Sequence, residues 1–318
     1  MKTPRHAGLA LRLTVTIGLL VVLLVFVADP RELVARMLTL SPAALALAVV
    51  LAAADRFLMA YKWRLLLRAR GLRCDLWTAV RSYFASSLVG LVLPVTVGAD
   101  AIRVLTLRHV GILEVTASIV IERLLGAIAM VSVALASCLL LAATVAGVPV
   151  EELSAWLVVV LVGITVFFVG SLLAAARWTS KGTVSTSTLR KATEAYGRYR
   201  EHPAVLASFY VLSVVESLIA AIITYVVALG IGLEIPVYVL IATVPIALAS
   251  ARLPVSLGGF GVQEASFVYL GGLVGIAATD ALSVMLLLEF AMLIALLPSA
   301  FDTSMLSLRH QTPESGVV

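Results

Sequence analysis

Apolar stretches of about 20 residues, the length a helix needs to cross a bilayer, recur from one end of this chain to the other. They cover residues 9–28, 42–60, 115–146, 155–176, 204–229 and 281–301. Most of such a chain is compatible with one solvent, lipid. Of its 318 residues, 62% are hydrophobic and 13% charged, against about 25% charged in a typical soluble domain. No segment between the apolar stretches is long enough for a water-soluble domain. Inside hydrocarbon each segment must satisfy its own backbone polar groups, so the predicted fold class is all-α and polytopic.

Lys2, Arg5 and Arg12 lead into the first stretch, as in a secretory signal. That stretch is as long as a full span and no A-x-A site follows it, so it is read as a retained first helix. Cys74 and Cys138 lie far apart, and His6, His109, His202 and His310 are scattered. That spacing provides neither a disulfide framework nor a metal site, and no cofactor is expected.

Basic residues cluster at the N-terminus, at Lys62, Arg64, Arg68, Arg70 and Arg73, at Arg103 and Arg108, and between Arg177 and Arg200. Glu151, Glu152, Glu234 and Asp280 mark the opposite ends. Positive loops stay cytoplasmic, which puts both termini inside, at the plasma (inner) membrane. The loop with Asp29, Arg31, Glu32 and Arg36 is balanced. In this threading the segments 77–108 and 236–275 each begin and end on one side, so each must dip in and return.

Their tips carry one phrase twice: LPVTVG at 93–98 and LPVSLG at 253–258. Proline and glycine break a helix and permit a turn. Pro94, Thr96 and Gly98 form the first expected tip, and Pro254, Ser256, Gly258, Gly259 and Gly261 the second. Each half then has two spans, a hairpin and a third span. An odd number of crossings inverts the second half, as in many secondary transporters. The expected architecture is about six full spans plus two re-entrant hairpins, in halves 1–150 and 151–305, with a tail at 302–318. A cytoplasmic connector, 177–203, spaces Leu189, Ala192, Tyr196 and Tyr199 as one apolar helix face beside Arg190, Lys191, Arg198 and Arg200. That face suits an anionic leaflet surface, and a solvated linker fits as well.

Ionisable groups inside spans mark function by default, although buried pairs can be structural. They are Asp55, Arg56, Arg81, Asp100, Arg103, Glu122, Arg123, Glu216, Arg252, Glu264 and Glu289. A half-helix opening near Ala99 would present backbone N–H groups and attract anions. Arg103, Arg123 and Arg252 near two such starts suit a phosphate, with Asp100, Glu122, Gln263 and Glu264 beside them. Each arginine serves equally well as internal counter-ion to Asp100, Glu122 or Glu264. Glu122 and Arg123, adjacent on one helix, point about 100° apart and must face different partners.

The phrases KWRLLLRARGL, LPVTVGADAIRV, IVIERLLG and RLPVSLGGFGVQEASFVYL resemble the transmembrane region of lysylphosphatidylglycerol synthases and its stand-alone flippase-like relatives, over nearly the whole chain. The match falls on Pro94, Gly98, Asp100, Arg103, Glu122, Arg123, Pro254, Gly258, Gly261 and Glu264. Ala99 departs from it, since many relatives have a second glycine there. The resemblance implies movement of a lipid or lipid-linked head group between leaflets. The synthases add a soluble transferase domain; here residues 302–318 follow the last span, so lysyl-lipid synthesis by this chain alone is not expected.

The leading expectation is therefore a translocase of an anionic phospholipid or lipid-linked head group, not an enzyme, with membrane lipids as partners and no nucleic acid. No Walker phosphate loop is present to couple ATP. A secondary transporter of a small soluble anion or amino compound uses the same architecture. So does a membrane partner subunit of a separate lipid-modifying transferase. No G-x-S-x-G, H-E-x-x-H or Ser-His-Asp grouping supports a lipid-modifying enzyme.

Overall fold

The computed structural model describes residues 4–92, 96–144, 151–180, 187–251, 255–256 and 258–301. Among them, every regular element is helical. The first half holds α1 (Pro4–Val22), α2 (Pro30–Leu38), α3 (Pro42–Ala69), α4 (Leu76–Val92), α5 (Thr96–Thr106) and α6 (Ile112–Thr144). The second holds α7 (Glu151–Ser180), α8 (Ser187–Gly197), α9 (Pro203–Gly230), α10 (Val237–Ser250), α11 (Val262–Leu273) and α12 (Ala278–Leu296). Both halves run long helix, short helix, 28-residue helix, short pair, long helix. The protein is a polytopic α-helical membrane protein.

Local chemistry repeats with that order. Pro42 and Pro203 open the two 28-residue helices, where a missing N–H costs nothing. Gly71 and Gly232, both at positive φ, close them in the same way. Leu72 N–H donates to the Leu67 carbonyl and Leu233 N–H to that of Ala228, the six-to-one bond of a Schellman turn. Packing repeats too: α4 lies on α3 as α10 lies on α9, α12 meets α3 as α6 meets α9, and α2 lies on α12 as α8 lies on α6.

The equivalent helices α3 and α9 pack together at the centre, and they are antiparallel. Ser41 N–H, at the start of α3, donates to the Gly230 carbonyl at the end of α9 (2.9 Å). At the other end, the Tyr199 hydroxyl before α9 donates to the Leu66 carbonyl on α3 (3.1 Å). Equivalent helices running in opposite directions are what an inverted repeat requires. Small residues permit the approach: Ala48, Ala52, Ala221 and Ala228 are fully buried, and a Cβ on Gly230 would come within 2.5 Å of the Ala44 Cβ. Lipid provides no hydrophobic drive between helices, so such close packing holds them together.

Pro245 sits inside α10 and leaves the Ile241 carbonyl without its helical donor. Ser137 on α6 donates its hydroxyl to that carbonyl at 2.8 Å. The helix break is thus satisfied by a neighbouring helix, as hydrocarbon demands.

The span count agrees with the expected six when the bent pair is taken as one span, and two local expectations change. Among the described residues five helices are long and apolar enough to cross, and the stretch Arg12–Val27 with Pro30–Leu38 makes a sixth bent by 93°. The balanced loop after helix one is helix α2, capped by Asp29, whose carboxylate accepts from Arg31 and Glu32 N–H. In the connector, Tyr199 and Ala195 are buried and the Tyr196 hydroxyl lies 2.6 Å from that of Ser171 on α7. This face packs onto the protein, leaving Leu189 exposed.

Candidate functional site

The expected site residues fall into two groups, one per hairpin. In the first, α5 carries Asp100 and Arg103 three residues apart, on one helix face. α6 brings Glu122 and Arg123 against them. The Arg103 guanidinium donates to Glu122 Oε2 (2.6 Å) and to Asp100 Oδ1 (2.6 Å). Arg123 donates to the same Asp100 Oδ1 (2.8 Å) and, through Nε, to Oδ2 (3.3 Å). Glu122, Arg103, Asp100 and Arg123 form a chain of alternating charge, with the adjacent α6 residues facing different partners.

Aromatic groups close the buried end. The Tyr83 hydroxyl donates to Glu122 Oε1 (2.9 Å). The Arg103 guanidinium lies 4.9 Å from the Tyr83 ring and 5.1 Å from the Trp63 ring, a cation–π arrangement favoured where water is excluded. The Trp63 indole in turn donates to Ser118 (3.0 Å). Arg103 is 2% exposed whereas the Arg123 side chain is 43% exposed. The four side chains thus grade from a buried counter-ion to a half-exposed cation.

The second hairpin is built differently. Gly258, Gly259 and Gly261 hold φ of +61°, +90° and +83°, a region that disfavours side chains. A Cβ on Gly259 would come 2.6 Å from the Ala251 Cβ, and one on Gly261 would come 2.8 Å from the Leu19 Cβ of α1. α11 then starts at Val262, and the buried Glu264 carboxylate accepts from Gly261 N–H at 2.6 Å. This is the glutamate half of a capping box, glycine having no side chain to complete it. Gln263 donates to Glu289 on α12 (3.2 Å). Ser256 is buried.

The tips themselves are described in part. α5 begins at Thr96, so Gly98 lies within a helix and not at the expected turn; a single glycine weakens a helix without ending it. Pro94, Arg252 and Pro254 lie outside the described residues. No hydrogen bond or ion pair among the described residues joins the two groups.

Between them runs a third set that the sequence did not assign to the site. Lys62, read as a loop charge, is buried; it donates to Ser213 (2.9 Å), pairs with Glu216 of α9 and lies 4.9 Å from the Phe209 ring. Asp55 pairs with Arg56 (3.0 Å), and Arg56 lies within electrostatic range of Tyr83, Glu216 and Glu289. The seam between the halves is thus crossed by Lys62 with Ser213 and Glu216, and by the reach of Arg56 to Glu216 and Glu289. Asp55, Arg56, Glu216 and Glu289 were visible as charges within apolar spans; Tyr83 and Trp63 carried no such signal. Among the described residues no group of three His, Cys, Asp or Glu side chains is placed to hold a metal.

The description that matches this chain, over residues 9–299, is the lysylphosphatidylglycerol synthase TM region. The chain belongs to that family. No curated protein matches it. Membership supports a membrane protein linked to lipid handling, and the four-residue charge chain is built from two of the phrases that carry the resemblance.

Proposed function

We propose that this family member is a translocase that moves an anionic phospholipid or lipid-linked head group between the leaflets of the plasma membrane. One observation carries the reading: Arg123 is half exposed and shares its carboxylate, Asp100, with the buried Arg103. A phosphate can take the Arg123 guanidinium in bidentate fashion. Asp100 then still accepts from Arg103, which it shares with Glu122, so the exchange leaves that carboxylate hydrogen-bonded. Rocking of the two antiparallel halves about α3 and α9 exposes that cation to each leaflet in turn, with both termini cytoplasmic.

The test is translocation in reconstituted vesicles, comparing fluorescent phosphatidylglycerol with phosphatidylcholine, in wild type and Arg123→Gln. Selective movement of the anionic lipid, reduced on the order of tenfold in the variant, is the expected result. Equal rates for both lipids and both proteins overturn it. Uptake of a soluble phosphate ester without lipid movement moves the reading to a soluble-anion transporter.

A further inference from the structure

Where α3 ends, the protein presents a second arrangement of arginines, in a different state from the first. An open basin of about 650 Å³ is lined by Arg64, Arg68, Gly71, Arg73, Cys74 and Asp75, among others. The Arg64 Nε donates to the Cys74 carbonyl at 3.0 Å, which restrains the guanidinium and leaves its two terminal nitrogens out of that bond. Arg68 and Arg73 are exposed. Among the described residues no carboxylate lies at ion-pair distance from any of the three, unlike Arg103 and Arg123.

The one acid in the basin is committed elsewhere. Asp75 accepts from the N–H groups of Trp77 (2.8 Å) and Thr78 (3.1 Å) and from the Thr78 hydroxyl, capping α4. Three cations therefore face the basin around one carboxylate that is already engaged.

An apolar surface leads into it. Phe57, Tyr61, Arg64 and Arg68 recur at spacings of four, three and four, so they lie on one face of α3. Phe57 and Tyr61 are exposed, and the Phe57 ring packs against the exposed Trp77 of α4 at 6.3 Å. From Phe57 to Arg68 the stripe covers about 16 Å at 1.5 Å per residue. Aromatic side chains collect at the membrane–water boundary, so the stripe passes from acyl chains to head groups.

We propose that this stripe and basin seat one anionic phospholipid from the basic-side leaflet. Its phosphodiester lies among Arg64, Arg68 and Arg73, and its acyl chain runs along Phe57, Tyr61 and Trp77. A free phosphate would use the arginines and leave the aromatic stripe without a role, which is why the occupant is a lipid. The seat rests on the geometry of α3 and α4 and stands apart from the translocation reading.

The experiment is native mass spectrometry of the full-length protein in detergent with equal phosphatidylglycerol and phosphatidylcholine. Arg68→Gln/Arg73→Gln is the main variant, since neither side chain supports a neighbour, and thermal unfolding checks that it folds as wild type does. The retained ratio of anionic to zwitterionic lipid should fall on the order of tenfold in the double variant. It should also fall in Phe57→Ala/Tyr61→Ala and should resist excess inorganic phosphate. An unchanged ratio in the arginine variant overturns the seat. Ready displacement by inorganic phosphate, with the aromatic variant behaving as wild type, overturns the lipid as its occupant.

Discussion

The two hairpins occupy equivalent places in the two halves, yet they bury their polar groups by different means. The first uses side-chain charge: Asp100 and Arg103 on α5 are neutralised by Arg123 and Glu122 on α6. The second uses backbone: three glycines at positive φ turn the chain, and Glu264 returns to cap its own helix. The first solution ties the hairpin to a neighbouring helix through ion pairs. The second fixes the shape of the turn locally and leaves α11 held by packing and by Gln263 on Glu289. Side-chain ion pairing therefore belongs to the first hairpin, and backbone geometry to the second.

The largest break in that comparison should come from Arg103→Met. It strands Glu122 and half of the Asp100 pairing in a buried site, a loss of about 3–5 kcal/mol. Thermal unfolding in detergent should show a strongly destabilised or non-folding protein, whereas Arg123→Gln should unfold close to wild type. If both variants unfold alike, the division between counter-ion and exchangeable cation is wrong.

The glycines sharpen the contrast next. Gly261→Ala places a Cβ at positive φ and against Leu19, at a cost of ~2 kcal/mol. Gly98→Ala, in a helix, should be neutral or stabilising by up to about 1 kcal/mol. Equal effects from the two would mean that both tips depend on glycine alike.

Glu264→Gln should change stability by less than about 1 kcal/mol, because glutamine serves at the same capping position. A collapse of the fold there would show that its charge, and not its bond to Gly261, holds the second hairpin.

A further effect lies outside the spans. The Thr78 hydroxyl and N–H, then the Trp77 N–H and Arg64, hold the Asp75 carboxyl below its ordinary 3.8. A lowered carboxyl contributes stability above the unfolded value and loses it as pH falls through the folded one. Asp75→Ala should cost about 1 kcal/mol at neutral pH, with the difference from wild type vanishing in acid below that value. A difference that persists at low pH would assign the loss to packing.

Much of the fold was legible because its causes are local. Twenty apolar residues make a span wherever they occur. Pro42, Pro203, Gly71 and Gly232 act on their own backbone, and the phrases at 93–98 and 253–258 announce two breaks. The splay of Glu122 and Arg123 followed from helix geometry alone. The bend between α1 and α2 was less legible, because nothing in residues 23–38 says that Arg36 will find Asp280 on α12 at 3.0 Å. Lys62 was misread for the same reason: beside Arg64 and Arg68 it looks like a loop charge, and its partner Glu216 lies on the other 28-residue helix.

The sequence by itself determined an all-helical membrane protein with two broken segments and an internal repeat, since hydropathy, helix propensity and turn chemistry act over a few residues. Tertiary structure decided which charges meet. That Arg103 is a buried counter-ion and Arg123 a half-exposed cation depends on the packing of α5 on α6 and on the rings of Trp63 and Tyr83. Those contacts join residues far apart in the chain. Electrostatic energy falls with distance in space, and the sequence records only distance along the chain.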